Sequence, residues 1–291
     1  MTLLARIVKN KKLVSETAWK KHITKLQKQC RKKHISLRYA LLKAVEERTQ
    51  KLPKYGVLFS GGVDSCLIAL LSKKMQKNFI CYTVGLEGSP DLIAAEKAAQ
   101  QLKLPLKKKV LTQTQVEEII KKVAKILPDV DVVSVSVASV VYAAFELAKK
   151  DEIRYFFSGL GSEEIFAGYE RHMLAKDINR ECWNGLRKMW KRDLVRDYAL
   201  GKHFKVTLLT PFLDPNVICA AMQIPGEAKF NEKDKKIPLR RLAEEFGMPL
   251  EFAWRKKQAA QYGSRFDKAL QQIARAHGYK KKGEYIQSLI Q

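Results

Sequence analysis

The sequence predicts an α/β protein: a parallel sheet with helices on both faces, preceded by a basic helical extension and followed by a mostly helical C-terminal part. Three observations predict it. Short apolar runs alternate with helical periodicity between Tyr55 and Phe157. A small-residue turn, Ser60-Gly61-Gly62-Val63-Asp64-Ser65, joins the first of those runs to a helix. Beyond Tyr169 the alternation stops, and Trp183, Leu186, Met189, Trp190 and Leu194 recur at spacings of three and four, a stripe that reads as core.

Taken in order, the apolar positions predict helices over Ser15 to Arg31 and Ser36 to Lys51, the second ended by Pro53. A strand follows over Tyr55 to Phe59, then the turn, then a helix from about Asp64 to Met75. Phe79 to Val84 is the second strand. Ser89-Pro90-Asp91 combines an N-cap, a first-turn proline and an acid, which opens a helix to Leu102. Val110 and Leu111 end a third strand, Gln115 to Leu127 and Val137 to Lys150 are helical, and Ile153 to Phe157 is a fourth strand. The expected division is a basic helical extension over 1–35 and one large domain over 36–291.

At 291 residues and 46% hydrophobic, the chain is long enough to build a sizeable core. It has no uninterrupted apolar run of about 18 residues, and its first residues lack a signal-peptide pattern. A cytoplasmic protein without membrane contact is therefore expected. The five cysteines stand singly, without zinc spacing, and read as reduced thiols, Cys66 and Cys81 as small buried hydrophobes. The net charge of +25 is uneven: residues 1–54 hold 16 Lys and Arg against 3 acids. Two readings stay open for it, a surface for RNA phosphates or a solvated lysine-rich face.

The glycine turn carries chemistry because, in a parallel sheet, ligands bind beyond the carboxyl ends of strands. Glycines let the backbone approach an anion, and the following helix points its positive end at the same place. Walker A needs a lysine that is absent here, the dinucleotide fingerprint needs another spacing, and a nucleophile elbow would need glycine where Leu58 stands. A phosphate-bearing ligand is expected at this turn. Asp64 beside a triphosphate implies Mg²⁺ between them, and Ser158-Gly159-Leu160-Gly161-Ser162-Glu163-Glu164 supplies a second acid after the fourth strand. Glu164 reads equally well as a first-turn acid favoured by the helix dipole.

The pattern S-G-G-x-D-S resembles the pyrophosphate loop of N-type ATP pyrophosphatases. VGLEGSPDLIAAEKAAQQL, SGLGSEEIFAGY, TPFLDPNV and FAWRKKQ resemble, in the same order, the motifs of the synthetase domain of class B asparagine synthetases. The resemblance covers roughly Ser36 to Phe266, and KKQAAQYGSRFDKAL also resembles asparagine synthetase domain-containing proteins. It implies an adenine nucleotide alpha hydrolase-like fold. It places Ser60, Gly61, Gly62 and Ser65, with Val63 in the same turn, on the pyrophosphate. It places Asp64 and Glu163 on Mg²⁺, and Val84, Ser158 and Gly159 around the adenosine. Lys257 matches a lysine that neutralises charge as an acyl-adenylate forms, so Lys257 and Asp64 are the expected catalytic residues. Asp214 reads as a helix cap rather than a reagent.

Two departures qualify the resemblance. Thr2 stands where the family's nucleophilic cysteine would be, and some 35 residues before the match are too few for a glutaminase domain. Ammonia or a separate glutaminase subunit is therefore the expected nitrogen source. Leu160 replaces a family glutamate that accepts a proton, leaving Glu164 or Glu170 as substitutes. The expected function is an ATP-dependent ligase that adenylates a carboxylate, aspartate by analogy, and passes it to ammonia. The alternatives are an adenylating enzyme acting on tRNA and an inactive ATP-binding scaffold.

Overall fold

The computed structural model describes residues 8–9, 12–31 and 34–290. Of the extension expected over 1–35, residues 1–7, 10–11 and 32–33 lie outside the described residues. Strands β1 (Val8–Lys9) and β2 (Lys12–Leu13) form a small antiparallel pair. Helices α1 (Glu16–Cys30) and α2 (Leu37–Thr49) follow, each N-capped by a serine hydroxyl, from Ser15 and Ser36.

The central sheet holds β3 (Tyr55–Leu58), β4 (Phe79–Leu86), β5 (Leu106–Leu111), β6 (Tyr155–Phe157) and β7 (Thr207–Leu209). All are parallel, in the order β5-β4-β3-β6-β7. Between them run α3 (Val63–Lys74), α4 (Pro90–Gln101), α5 (Gln113–Ile126) and α6 (Val132–Ala148). Successive strand residues point to opposite faces, so each strand feeds two cores. Tyr55, Val57, Cys81 and Phe157 enter one with α1, α2 and α3. Tyr82, Val84 and Phe156 enter the other with α5 and α6. The order reverses beside β3, which puts a crevice at its carboxyl end.

After β6 the chain is mainly helical: α7 (Ser162–Ile165), α8 (Glu170–Met173), α9 (Ile178–Met189), α10 (Val195–Phe204), α11 (Pro215–Gln223), α12 (Ile237–Glu245), α13 (Leu250–Ala253), α14 (Ala260–Gly263), α15 (Phe266–Ala276) and α16 (Lys282–Ser288). Trp183, Leu186 and Met189 of α9 are buried, as the stripe predicts. Trp19 of α1 donates its indole N–H to the Leu186 carbonyl at 2.8 Å, so the basic helix is packed into the first core. Its lysines Lys20, Lys21, Lys25 and Lys28 lie on the exposed face. Asp214 caps α11, accepting from the Asn216 N–H at 3.0 Å, and pairs with Arg48 at 3.1 Å.

Three sequence expectations need correction. The fifth strand, β7, is only three residues long and runs into a 3₁₀ turn at Pro211, too short for periodicity to reveal. Helix α6 begins at Val132 rather than Val137, because Asp131 caps it by accepting from the Val133 and Ser134 N–H groups. Cys30 and Cys219 are not reduced thiols but form a disulfide across 189 residues, where α1 meets α11. Spacing along the chain could not reveal a contact made only by packing. Cys66, Cys81 and Cys182 are free and buried.

Closing so long a loop restricts the unfolded chain, a contribution of about 5 kcal/mol on chain entropy alone. Replacing Cys30 by Ser together with Cys219 by Ala is expected to lower unfolding stability by about 2–5 kcal/mol in urea denaturation. An unchanged midpoint would contradict this. Among the described residues, the stretch Val132–Asp151 has the length and hydropathy of a membrane-crossing helix. Its buried residues Val135, Ala138, Tyr142 and Phe145 pack in the second core.

Candidate active site

The turn after β3 is built around two glycines, each closely approached by other parts of the chain. Gly61 has φ +67°, and a Cβ on it would lie 2.6 Å from the Ala94 carbonyl carbon of α4. A Cβ on Gly62 would lie 2.7 Å from Cδ of Lys257. Ser65 closes the turn from within: its hydroxyl donates to the Gly62 carbonyl at 3.1 Å and accepts the Ser60 N–H at 3.3 Å. Gly62 is the N-cap of α3 and offers no capping side chain, so the amides of the first turn face the crevice without a side-chain acceptor. A 12-residue helix adds its dipole at that point.

The turn after β6 faces it. The Ser158 N–H donates to the Leu209 carbonyl at 2.9 Å, and the Leu160 N–H donates to the Ser158 hydroxyl at 3.2 Å. Gly159 lies against Asp64, where a Cβ would approach the Asp64 Cβ to 3.1 Å. Between the two turns stands a residue that sequence reasoning missed. Lys236, buried at the start of α12, donates to both Asp64 carboxylate oxygens at 3.0 and 2.9 Å and to the Ser162 hydroxyl at 3.1 Å. It also pairs with Glu163 at 2.6 Å. Burial opposes the charge on Asp64, but Lys236, Lys257 and the Ser162 hydroxyl outweigh it and hold its pKa below the usual carboxylate range. Burial likewise opposes the charge on Lys236, yet Asp64 and Glu163 raise its pKa.

Arg255 is the second omission. It donates to the Ser60 carbonyl at 3.1 Å, to the Pro90 carbonyl at 3.2 Å and to Asp91 at 3.0 Å. It thereby ties the exposed 256–259 segment, which carries Lys257, to the glycine turn. The motif AWRKKQ contains this arginine, and only the tertiary contact shows its task. Lys236 lies among Lys233 and Lys235, and no local pattern singles it out.

A cavity of about 600 Å³ opens between the turns. Ser60, Asp64, Ser65, Val84, Ser158, Gly159, Glu163 and Lys257 all line it, while Gly61, Gly62 and Val63 form the turn behind its wall. One side is apolar, with Val137, Val140 and Val141 of α6 beside Val84. The other side carries Leu160, Glu164, Tyr169, Arg171, Arg192 and Asp193. Arg192 and Asp193 sit in a single π-helical turn, Trp190–Leu194, between α9 and α10. Glu164 is fully buried and pairs with Arg192; burial, reinforced by Asp193, raises its pKa. Glu164 is a first-turn acid of α7, as the sequence suggests, but one that is buried against Arg192. Glu170 is exposed, pairs with Lys235 and lines a neighbouring cleft instead.

Asp64 and Glu163 converge on one cationic centre at the cavity wall, a donor set that suits Mg²⁺ held jointly by carboxylates and phosphate oxygens. Among the described residues no group of three or more His, Cys, Asp or Glu could hold a metal alone.

Comparison with known proteins gives these elements a lineage. A sequence model of the asparagine synthase family matches residues 36–177 and 173–285. "Putative asparagine synthetase (glutamine-hydrolyzing) 1" of Methanocaldococcus jannaschii is 34% identical, over 84% of this chain and 52% of that protein. Asparagine synthetase B (glutamine-hydrolyzing) of Escherichia coli K12 is 30% identical, over 76% of this chain and 43% of that protein. The chain thus spans about half the length of the curated relatives it matches. Among solved structures, the NH3-dependent NAD synthetase of Campylobacter jejuni aligns at 16% identity with a TM-score of 0.35, over 59% of this chain and 78% of that chain. With the family model covering most of the chain, over the segments that build both turns and the Lys257 loop, the protein belongs to the asparagine synthase family.

Proposed function

We propose that this chain is an ATP-dependent carbon–nitrogen ligase that adenylates a carboxylate, aspartate by analogy, and passes the acyl group to ammonia, releasing AMP and pyrophosphate. The observation that carries this reading is the convergence of an uncapped helix start, two carboxylates and a lysine on one cavity. The β- and γ-phosphates rest on the amides of Gly61 to Ser65, where backbone donors and the helix dipole favour an anion. The apolar wall of Val84 and Val137 takes the adenine, beside Ser158 and Gly159. Asp64 and Glu163 would hold Mg²⁺, which would supply positive charge to the phosphate oxygens.

The substrate carboxylate oxygen attacks the α-phosphorus, and pyrophosphate leaves with the broken bond's electrons. Lys257, on the loop anchored by Arg255, stabilises the negative charge that builds on the phosphate oxygens. Ammonia then attacks the acyl carbon, and AMP leaves. Leu160 cannot accept the proton released by the attacking nitrogen, so the reading assigns that task to Glu164, the buried acid that lines the same cavity. A complete turnover takes nitrogen as free ammonia or from a glutaminase.

The test is ATP–pyrophosphate exchange with carboxylates offered singly. Aspartate-dependent exchange supports the reading; exchange with none of the amino acids or RNAs offered overturns it, and exchange with RNA alone transfers the same chemistry to an RNA substrate.

A further inference from the structure

A second, more open cleft of about 780 Å³ adjoins the cavity, and Gly168, Tyr169, Gln258 and Ala259 line both. The two cavities share these walls. A free amino acid beside the α-phosphate would leave the outer part empty. That part carries Tyr262, half exposed, with Arg265 and the exposed Lys268. Its acids are already engaged, Glu170 by Lys235 and Asp267 by Lys282 at 2.6 Å. Arg265 donates one N–H to the Glu87 carbonyl at 2.8 Å, and among the described residues neither it nor Lys268 has an acidic partner. An exposed aromatic face beside uncompensated cations is the combination that binds a single nucleic-acid strand: the ring stacks on a base, and the cations meet the phosphates.

We propose that the outer cleft binds single-stranded RNA. The base stacks on Tyr262, the phosphates lie along Arg265 and Lys268, and the strand end points toward Lys257. That the inner cavity adenylates a carboxylate rests on the reading above; the binding of RNA in the outer cleft does not. The experiment keeps the two apart, because binding is measured without ATP.

Fluorescence anisotropy of labelled oligoadenylate and oligouridylate is followed for the wild type, Tyr262→Ala, Tyr262→Phe and Lys268→Glu, with a poly-glutamate peptide of equal length as competitor. Removing the ring is expected to weaken RNA about tenfold, and phenylalanine to restore it, because stacking needs only the π-face. Lys268→Glu is expected to reduce the steepness of the salt dependence by about one phosphate contact. ATP binding, measured by titration calorimetry, is expected to be equal in all four proteins. RNA affinity unchanged by both Tyr262→Ala and Lys268→Glu would overturn the proposal. So would competition by poly-glutamate at the affinity of RNA, since the cleft would then be a site for an acidic protein. Absent exchange activity with the RNA effects intact would overturn the adenylation reading alone.

Discussion

Replacing Lys257 by alanine is expected to lower ATP–pyrophosphate exchange by about 10²–10³-fold, with only a small fall in melting temperature. The asymmetry follows from where the residue sits. Lys257 is exposed, and its ammonium acts on the fold only through its charge effect on Asp64. Its stem lies across Gly62, so the charge is held over the turn that receives the diphosphate. An interaction that strengthens only as charge develops affects the reaction rate more than the fold. Lys256→Ala, one position earlier and also exposed, is the control and should keep full activity. Equal losses in both variants would reduce Lys257 to one more lysine in a basic protein.

Replacing Lys236 by methionine is expected to cost about 3–5 kcal/mol of stability, because one ammonium neutralises two carboxylates in a buried place. Methionine fills the space and leaves Asp64 facing Glu163 without a cation. The pH dependence should also change sign. In the wild type the Asp64 pKa is depressed, so its contribution is present above the ordinary carboxylate range and lost as pH falls below about 4. The raised pKa of Lys236 gives a contribution present at neutral pH and lost only at strongly alkaline pH, as the ammonium deprotonates. In Lys236→Met burial acts on Asp64 without that partner, its pKa rises, and the variant should gain stability as pH falls from 7 toward 5. Millimolar Mg²⁺ should recover part of the loss by supplying a cation to the same carboxylates. Chemical denaturation at pH 5 and 7, with and without Mg²⁺, reads all three effects. A variant as stable as the wild type at both pH values would contradict the account.

The parts of this molecule legible in its sequence are those written in local pattern. The strand from Tyr55, the glycine turn, Ser89-Pro90 opening α4 and the amphipathic α9 each carry their signal within a dozen residues. Even there the chemistry differs in detail: Ser89 is the N-cap of α4 by backbone position, but its side chain makes no capping hydrogen bond, and its oxygen is buried without a partner. What was hidden depends on residues far apart. Lys236 meets Asp64 across 172 positions, Arg255 meets Ser60 across 195, and Cys30 meets Cys219 across 189. None belongs to a periodic pattern, so no window along the chain contains both partners. The motifs thus outlined the cavity, while the packing supplied the cation between its acids and the arginine that holds its loop.

The claim on which the rest depends is that backbone amides from Gly61 to Ser65, at the start of α3, receive the leaving diphosphate. A crystal structure with Mg²⁺ and an ATP analogue whose α–β bridge is a methylene group tests it directly. The expected result is the β- and γ-phosphates on those amides, the metal on Asp64 and Glu163, and the base against Val84. A nucleotide bound elsewhere with this turn left empty would contradict the account.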